Sequence, residues 1–269
     1  MISFASVPTP QVSILAQRLF NIGPIHVTNS MLYGVIGSAL TWVLLIYASR
    51  RAEARRYNRL TVAVLWAYEY LLDTAEEVLG DRKSALRIAP LAITMFFFIF
   101  INNTLEILPV LGPVTYNGVP LFRGLAADLN FTFALAVITM VTAQIWAIQS
   151  RGFFGNLGRY FGNPFHDFIH TFEGFLELIA EFSRFIALSM RLFGNIFGGE
   201  VLLAVMAFIT SYATPLTVPP FMLFELFIGL IQAYIFFMLT VVFVSLGTTN
   251  HDVPASSSDT FELAGEVAT

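Results

Sequence analysis

Phe165–Thr210 reads FHDFIHTFEGFLELIAEFSRFIALSMRLFGNIFGGEVLLAVMAFIT, as apolar as a membrane span, yet it carries Glu173, Glu177, Glu181, Arg184, Arg191 and Glu200. Pro164 and Pro215 bracket it and no proline interrupts it, so the helical pattern continues for about 45 residues. At 1.5 Å per residue such a helix is about 70 Å long, more than twice the ~30 Å hydrocarbon core. Either it breaks near Gly194, Gly198 and Gly199 or it lies steeply tilted, and we expect the tilt.

With about 100° per residue, His166, His170, Glu173, Glu177, Glu181, Arg184, Arg191 and Asn195 share an arc of about 80°. Glu200, nine residues beyond Arg191, falls on the opposite face. Two polar routes are therefore expected to meet near Arg191 from different flanks. Arg191 cannot be discharged, and Met190, Leu192, Phe193 and Ile196 flank it, so a buried place at membrane depth is expected. An arginine at mid-bilayer costs about 2.5–3.5 kcal/mol on insertion scales, and residues of this kind mark ion pathways.

Around this segment the chain is uniformly lipid-like. Of its 269 residues 57% are hydrophobic and only 12% are charged, more apolar side chain than one soluble core buries. Met31–Ala48 and Phe131–Ile148 carry no charge and read as spans; Ile88–Leu108 is polar only at Asn102, Asn103 and Glu106; Phe221–Gly247 holds one charge, Glu225. Glu225 and Gln232 lie seven residues apart and share a face, the natural partner for Glu200. Leu60–Gly80 instead places Glu69, Asp73, Glu76 and Glu77 at helical spacing opposite Val62, Leu65, Trp66, Leu72 and Val78. It reads as an interfacial amphipathic helix with an acidic face that suits a protein neighbour better than anionic lipid.

The expected fold is thus an all-α integral membrane protein of about five membrane-embedded helices, two of them long and steeply tilted, with one interfacial helix. Arginines and lysines cluster at 50–59, at 82–87 and at Arg151 and Arg159, which makes those loops cytoplasmic. Arg18 and Arg123 fall in opposite loops, so residues 1–30 form an external segment, 31–247 a single membrane domain and 248–269 a polar, disordered cytoplasmic tail. Without cysteine there is no disulfide, thiolate metal site or cysteine nucleophile. The histidine pair alone is a weak metal signal, so neither a metal nor a cofactor is expected.

Plainer readings stand beside the functional ones. Glu181 and Arg184, one turn apart, suit a structural ion pair, and Asn102, Asn103 and Glu106 suit the wet end of a helix. Arg191 with Glu177, Glu200 and Glu225 resists such readings and suggests one proton- or cation-handling site.

Arg191-Leu192-Phe193-Gly194-Asn195, followed by Glu200, resembles the signature of subunit a of F-type ATP synthases. The likeness extends to Glu177, to Gln232 in IQAYIF, to Asp128, Asn130 and Thr132 in ADLNFT, and to Asn103, Glu106 and Pro109 in NTLEILP. It covers about Leu60 to Gly247. The resemblance implies a non-catalytic stator, held by peripheral-stalk subunits in a bacterial plasma membrane, beside a rotating ring of carboxylate-bearing hairpins; nucleic acid is not among its partners. It further implies an outer half-channel with Asn195, Glu200, Glu225 and Gln232, a cytoplasmic one around Glu177, and Arg191 between them. Glu173, Glu181, Asn103 and Glu106 are secondary candidates. Where some relatives carry histidine seven residues before the glutamine, this chain has Glu225, so that Glu200 and Glu225 form an acid pair able to share a proton.

The main rival is a secondary transporter with a mid-membrane proton-coupled site, but no inverted repeat is visible. A voltage sensor would need a basic ladder, and Arg184 and Arg191 have no arginine between them.

Overall fold

The computed structural model describes residues 17–22, 25–107, 115–116, 119–120, 123–152 and 168–248. Six long helices dominate the described residues: α1 (Asn29–Glu53), α2 (Arg59–Leu79), α3 (Arg82–Ile107), α4 (Leu129–Arg151), α5 (Phe168–Thr210) and α6 (Thr214–Thr248). The chain is an all-α integral membrane protein. α1, α3, α4 and the α5–α6 pair carry apolar stretches long enough to cross a membrane, whereas α2 does not. Two short antiparallel hairpins, Arg18–Ile22 with Ile25–Thr28 and Thr115–Tyr116 with Val119–Pro120, were not anticipated.

Local signals set the helix ends. The Thr28 hydroxyl accepts from the Met31 amide at 3.3 Å to open α1, and Arg50 and Arg51 lie in its last turn, where the helix dipole favours cations. Asn58 caps α2, which closes at Gly80 with φ 72°, a left-handed conformation that glycine adopts without a side-chain clash. The Asp81 carboxylate accepts from the Lys83 and Ser84 amides at 3.2 and 3.1 Å and opens α3. Asp128 does the same for α4, accepting from the Asn130 amide at 3.0 Å.

The long charged segment is one unbroken helix of 43 residues, about 65 Å by its rise, and Gly194, Gly198 and Gly199 do not interrupt it. Pro215 does not delay the next helix: α6 begins at Thr214, ahead of the expected Phe221, and encloses Pro219 and Pro220. Proline near the start of a helix is tolerated because the first amides have no intrahelical acceptor. Pro219 and Pro220 lie deeper, so the carbonyls of Pro215 and Leu216 lose their usual donors. His166, Pro109 and the expected tail lie outside the described residues, as do the side chains of His170 and Glu173.

α6 is the central element, packed on α3 above all and also on α4 and α5. Small residues on α3, Ala85, Ala89 and Ala92, let the helices approach, and Phe236, Phe237 and Val241 of α6 fill the resulting layer. Leu188, Leu192 and Ile196 bring α5 into the same core, and Leu71, Leu72 and Ala75 bring α2. α2 thus lies against the bundle on its apolar side and leaves Glu69, Asp73 and Glu77 exposed.

Candidate functional site

The polar residues fall into two groups on opposite sides of Arg191 along α5. The first lies where α3, α5, α6 and the turn before α4 meet. α5 presents its buried face at Leu192 and Ile196 and, one turn on, the half-buried Glu200. α6 contributes Glu225, Gly229 and Gln232 at i, i+4 and i+7, and α3 contributes Asn102, Asn103 and Glu106.

Close backbone approach seats these side chains. A β-carbon at Gly199 would collide with the Glu225 carboxylate, one at Gly124 with the Glu106 carboxylate, and one at Gly37 with the Asn102 amide. Asn103 packs on Gly229 and donates to its carbonyl at 3.4 Å, tying α3 to α6. The wet-end reading of Asn102 and Asn103 is therefore overturned, since both are buried within the bundle. Burial is tolerable because each amide nitrogen has a carbonyl to meet: Asn102 Nδ2 donates to Phe98 O at 2.8 Å.

Arg123, assigned by its place in the sequence to an outer loop, is 7% exposed, with Nε 3.8 Å from Glu200 Oε2. Glu106 Oε1, Glu200 Oε2, Glu225 Oε2, Asn103 Oδ1 and Gln232 Nε2 are buried without a hydrogen-bond partner among the described residues. Native proteins leave few such atoms. Beside them lies a cavity of about 240 Å³, lined by Gly194, Asn195, Gly198, Gly199 and Glu225 among others. At about 30 Å³ per water this holds several molecules.

The second group is tighter. Glu177 faces Arg184 at 3.9 Å, two turns along α5. The two carboxylate oxygens of Glu181 accept from Gln144 Nε2 of α4 at 2.9 Å. The guanidinium of Arg184 stands 5.8 Å from the Phe243 ring centre on α6. The accompanying cavity, about 20 Å³, has room for about one water.

Arg191 lies between the two groups and is not buried within the chain. Its side chain is exposed on the outer face of α5, with Gly194 and Gly198 on the same face and Leu192 fully buried behind. The expectation of burial followed from apolar sequence neighbours; a helix instead turns adjacent residues about 100° apart. In the ADLNFT stretch Asp128 caps α4 and accepts from the Ser30 hydroxyl at 2.8 Å, and Thr132 meets Ser189 of α5 at 3.2 Å. These residues hold helices together. Arg123 and Gln144 are site residues that sequence reasoning missed; the signal for Arg123 was a lone arginine five residues before a helix-capping aspartate.

Residues 31–245 match the family described as ATP synthase A chain. Among curated relatives, an ATP synthase subunit a from Coxiella burnetii is 30% identical over 228 residues, covering 83% of this chain and 85% of its own. One from Aeromonas salmonicida is 31% identical over 230 residues, covering 83% and 88%. One from Desulforamulus reducens is 34% identical over 190 residues, covering 69% and 65%.

Proposed function

The chain belongs to the ATP synthase A chain family, and from that premise we propose that it is the ion-translocating stator of the membrane sector, with two offset half-channels separated by Arg191. The observation that carries this reading is the placement of an exposed arginine between two internal polar groups. Glu181 lies ten residues to one side, about 15 Å along the helix, and Glu200 nine residues to the other, about 14 Å.

An exposed guanidinium on an apolar face needs a partner from outside the chain, and a ring of hairpins each bearing one carboxylate supplies it. A carboxylate crossing lipid must be neutral, because an ionised one is too costly there. Beside Arg191 the ionised form is favoured, so the ring carboxylate gives up its ion there. Asn195, Glu200, Glu225, Gln232, Asn103 and Glu106 then form the wider half-channel, open to the outside, where ions arrive. Glu177, Glu181 and Gln144 form the narrower one, toward the cytoplasm. The ion is a proton: carboxylates and amides relay protons without the full oxygen cage a metal cation requires. The chain itself carries out no chemical catalysis. Peripheral-stalk subunits hold it against the torque of the ring, and the N-terminus lies outside a bacterial plasma membrane.

Arg191 is attractor and barrier together. Protons cannot hop through a group that never deprotonates, whereas a neutral side chain with water beside it joins the two half-channels. Each charge crossing 100 mV carries about 2.3 kcal/mol, so a leak dissipates useful energy. Reconstituted complexes test this: Arg191→Ala abolishes synthesis under an imposed gradient and, with the catalytic head removed, passes protons passively. Arg191→Lys also fails, because an ammonium can lose its proton on burial. Near-normal synthesis by the alanine variant would sink the mechanism.

A further inference from the structure

Arg123 touches more of the wide polar group than its place in a loop suggests. Its Nε faces Glu200 of α5 at 3.8 Å, and its Nη2 donates to the Ala127 carbonyl at 3.3 Å, closing the turn of Leu125–Ala127 on itself. Gly124, the next residue, backs the Glu106 carboxylate of α3 so closely that no β-carbon fits. The turn is itself interior, with Leu125, Ala126 and Ala127 all buried. Asp128 anchors it at its far end, capping α4 and accepting from Ser30 of α1. Five consecutive residues and one cap thus fix two carboxylates from different helices relative to α1 and α4.

Charge gives the arrangement its purpose. Glu200 of α5 faces Arg123, Glu106 of α3 lies against the adjoining Gly124, and Glu225 of α6 lies against Gly199 next to Glu200, so acids from three helices gather around Arg123. At 3.8 Å the contact is coulombic and longer than a hydrogen bond, so Glu200 Oε2 keeps its lone pairs for another donor. Acids crowded together without a counter-charge hold protons, while a cation that cannot be discharged keeps one of them ionised and ready to accept.

We infer that Arg123 is a positioning residue of the ion path: it fixes Glu200 and supplies the standing positive charge that keeps the three-acid group relaying protons. The inference rests on the half-channel reading above and adds to it a residue that the motif around Arg191 does not contain.

The test is ATP synthesis by the reconstituted whole complex, with pH on the entry side varied at fixed electrical potential. Arg123→Gln is expected to lower the maximal rate about tenfold and to move the entry-side midpoint about one unit alkaline, while the exit-side dependence stays in place. Arg123→Lys, which restores a charge, brings the midpoint back to within a few tenths of a unit. A glutamine variant that assembles and keeps the wild-type midpoint overturns the inference, because a purely structural role would change the rate alone. If Arg123→Gln does not assemble, Arg123→Gln with Glu200→Gln decides: a neutral pair that restores assembly supports the coupling, and one that does not refutes it. The half-channel reading fails separately, through normal synthesis when Glu200 and Glu225 are both leucine. The inference alone fails if that double variant is dead while Arg123→Gln leaves the midpoint unmoved.

Discussion

The Glu225 carboxylate lies against the backbone of Gly199, in the space a β-carbon at that position would occupy. Gly199 is helical and needs no left-handed φ, so only this close approach demands glycine there. Gly199→Ala is therefore expected to displace Glu225 while α5 remains intact, since alanine is the better helix former. Displacement by about 1 Å can cost a positioned group up to a hundredfold in rate. ATP-driven pumping by vesicles containing the variant complex should fall at least tenfold; unchanged pumping would take Glu225 out of the path.

Glu200 and Glu225 approach the same junction from α5 and α6, with a buried oxygen each that lacks a hydrogen-bond partner among the described residues. Replacing both with leucine should block pumping, whereas either single variant should retain part of it, because the remaining acid can still take up a proton. Fluorescence quenching of a pH dye in the vesicle lumen reads the difference. Normal quenching by the double variant would remove both residues from the mechanism.

The lengths of α5 and α6, 43 and 35 residues, correspond to about 65 and 52 Å, well beyond the hydrocarbon core. Both should lie steeply tilted when the whole complex is seen in a membrane. A structure of the assembly with either helix within about 40° of the membrane normal would contradict this.

At the start of α3 the amides of Lys83 and then Ser84 hold the Asp81 carboxyl below its ordinary pKa of 3.8. A depressed acid stabilises the folded form above its unfolded pKa, and this is lost as pH falls through the folded value. The cap should therefore persist at neutral pH and fail only below about pH 3.8. Hydrogen exchange at the amides of residues 83 to 85 reads this directly. Asp81→Asn, whose amide oxygen still accepts, should flatten the acid dependence, while Asp81→Ala should speed exchange at every pH.

The helices were legible because apolar length and charge-free runs are long-range averages that survive local error. Capping and proline were harder. Pro215 read as a stop, yet α6 begins one residue before it, since a helix start is where proline does least harm. Asn103 and Glu106 read as a wet end because sequence cannot reveal that Gly229 and Gly124 leave room for them inside. The periodicity argument correctly placed Glu200 away from Arg191, and the shared face of Glu225 and Gln232 is realised on α6. Arg123 escaped because its partner Glu200 lies 77 residues away on another helix, a pairing no local pattern encodes.

The outward face of Arg191 also bears on how the protein is made. A freshly inserted copy, before any partner arrives, carries a permanent cation on the exposed face of α5, among Ala187, Met190 and Gly194. A residue in that position costs about 2.5–3.5 kcal/mol, so the orphan chain is poorly settled in the bilayer until a neighbour covers it. The same charge that we propose separates two ion paths in the finished machine thus marks the unassembled chain as incomplete, and gives cellular quality control a physical basis for telling the two apart.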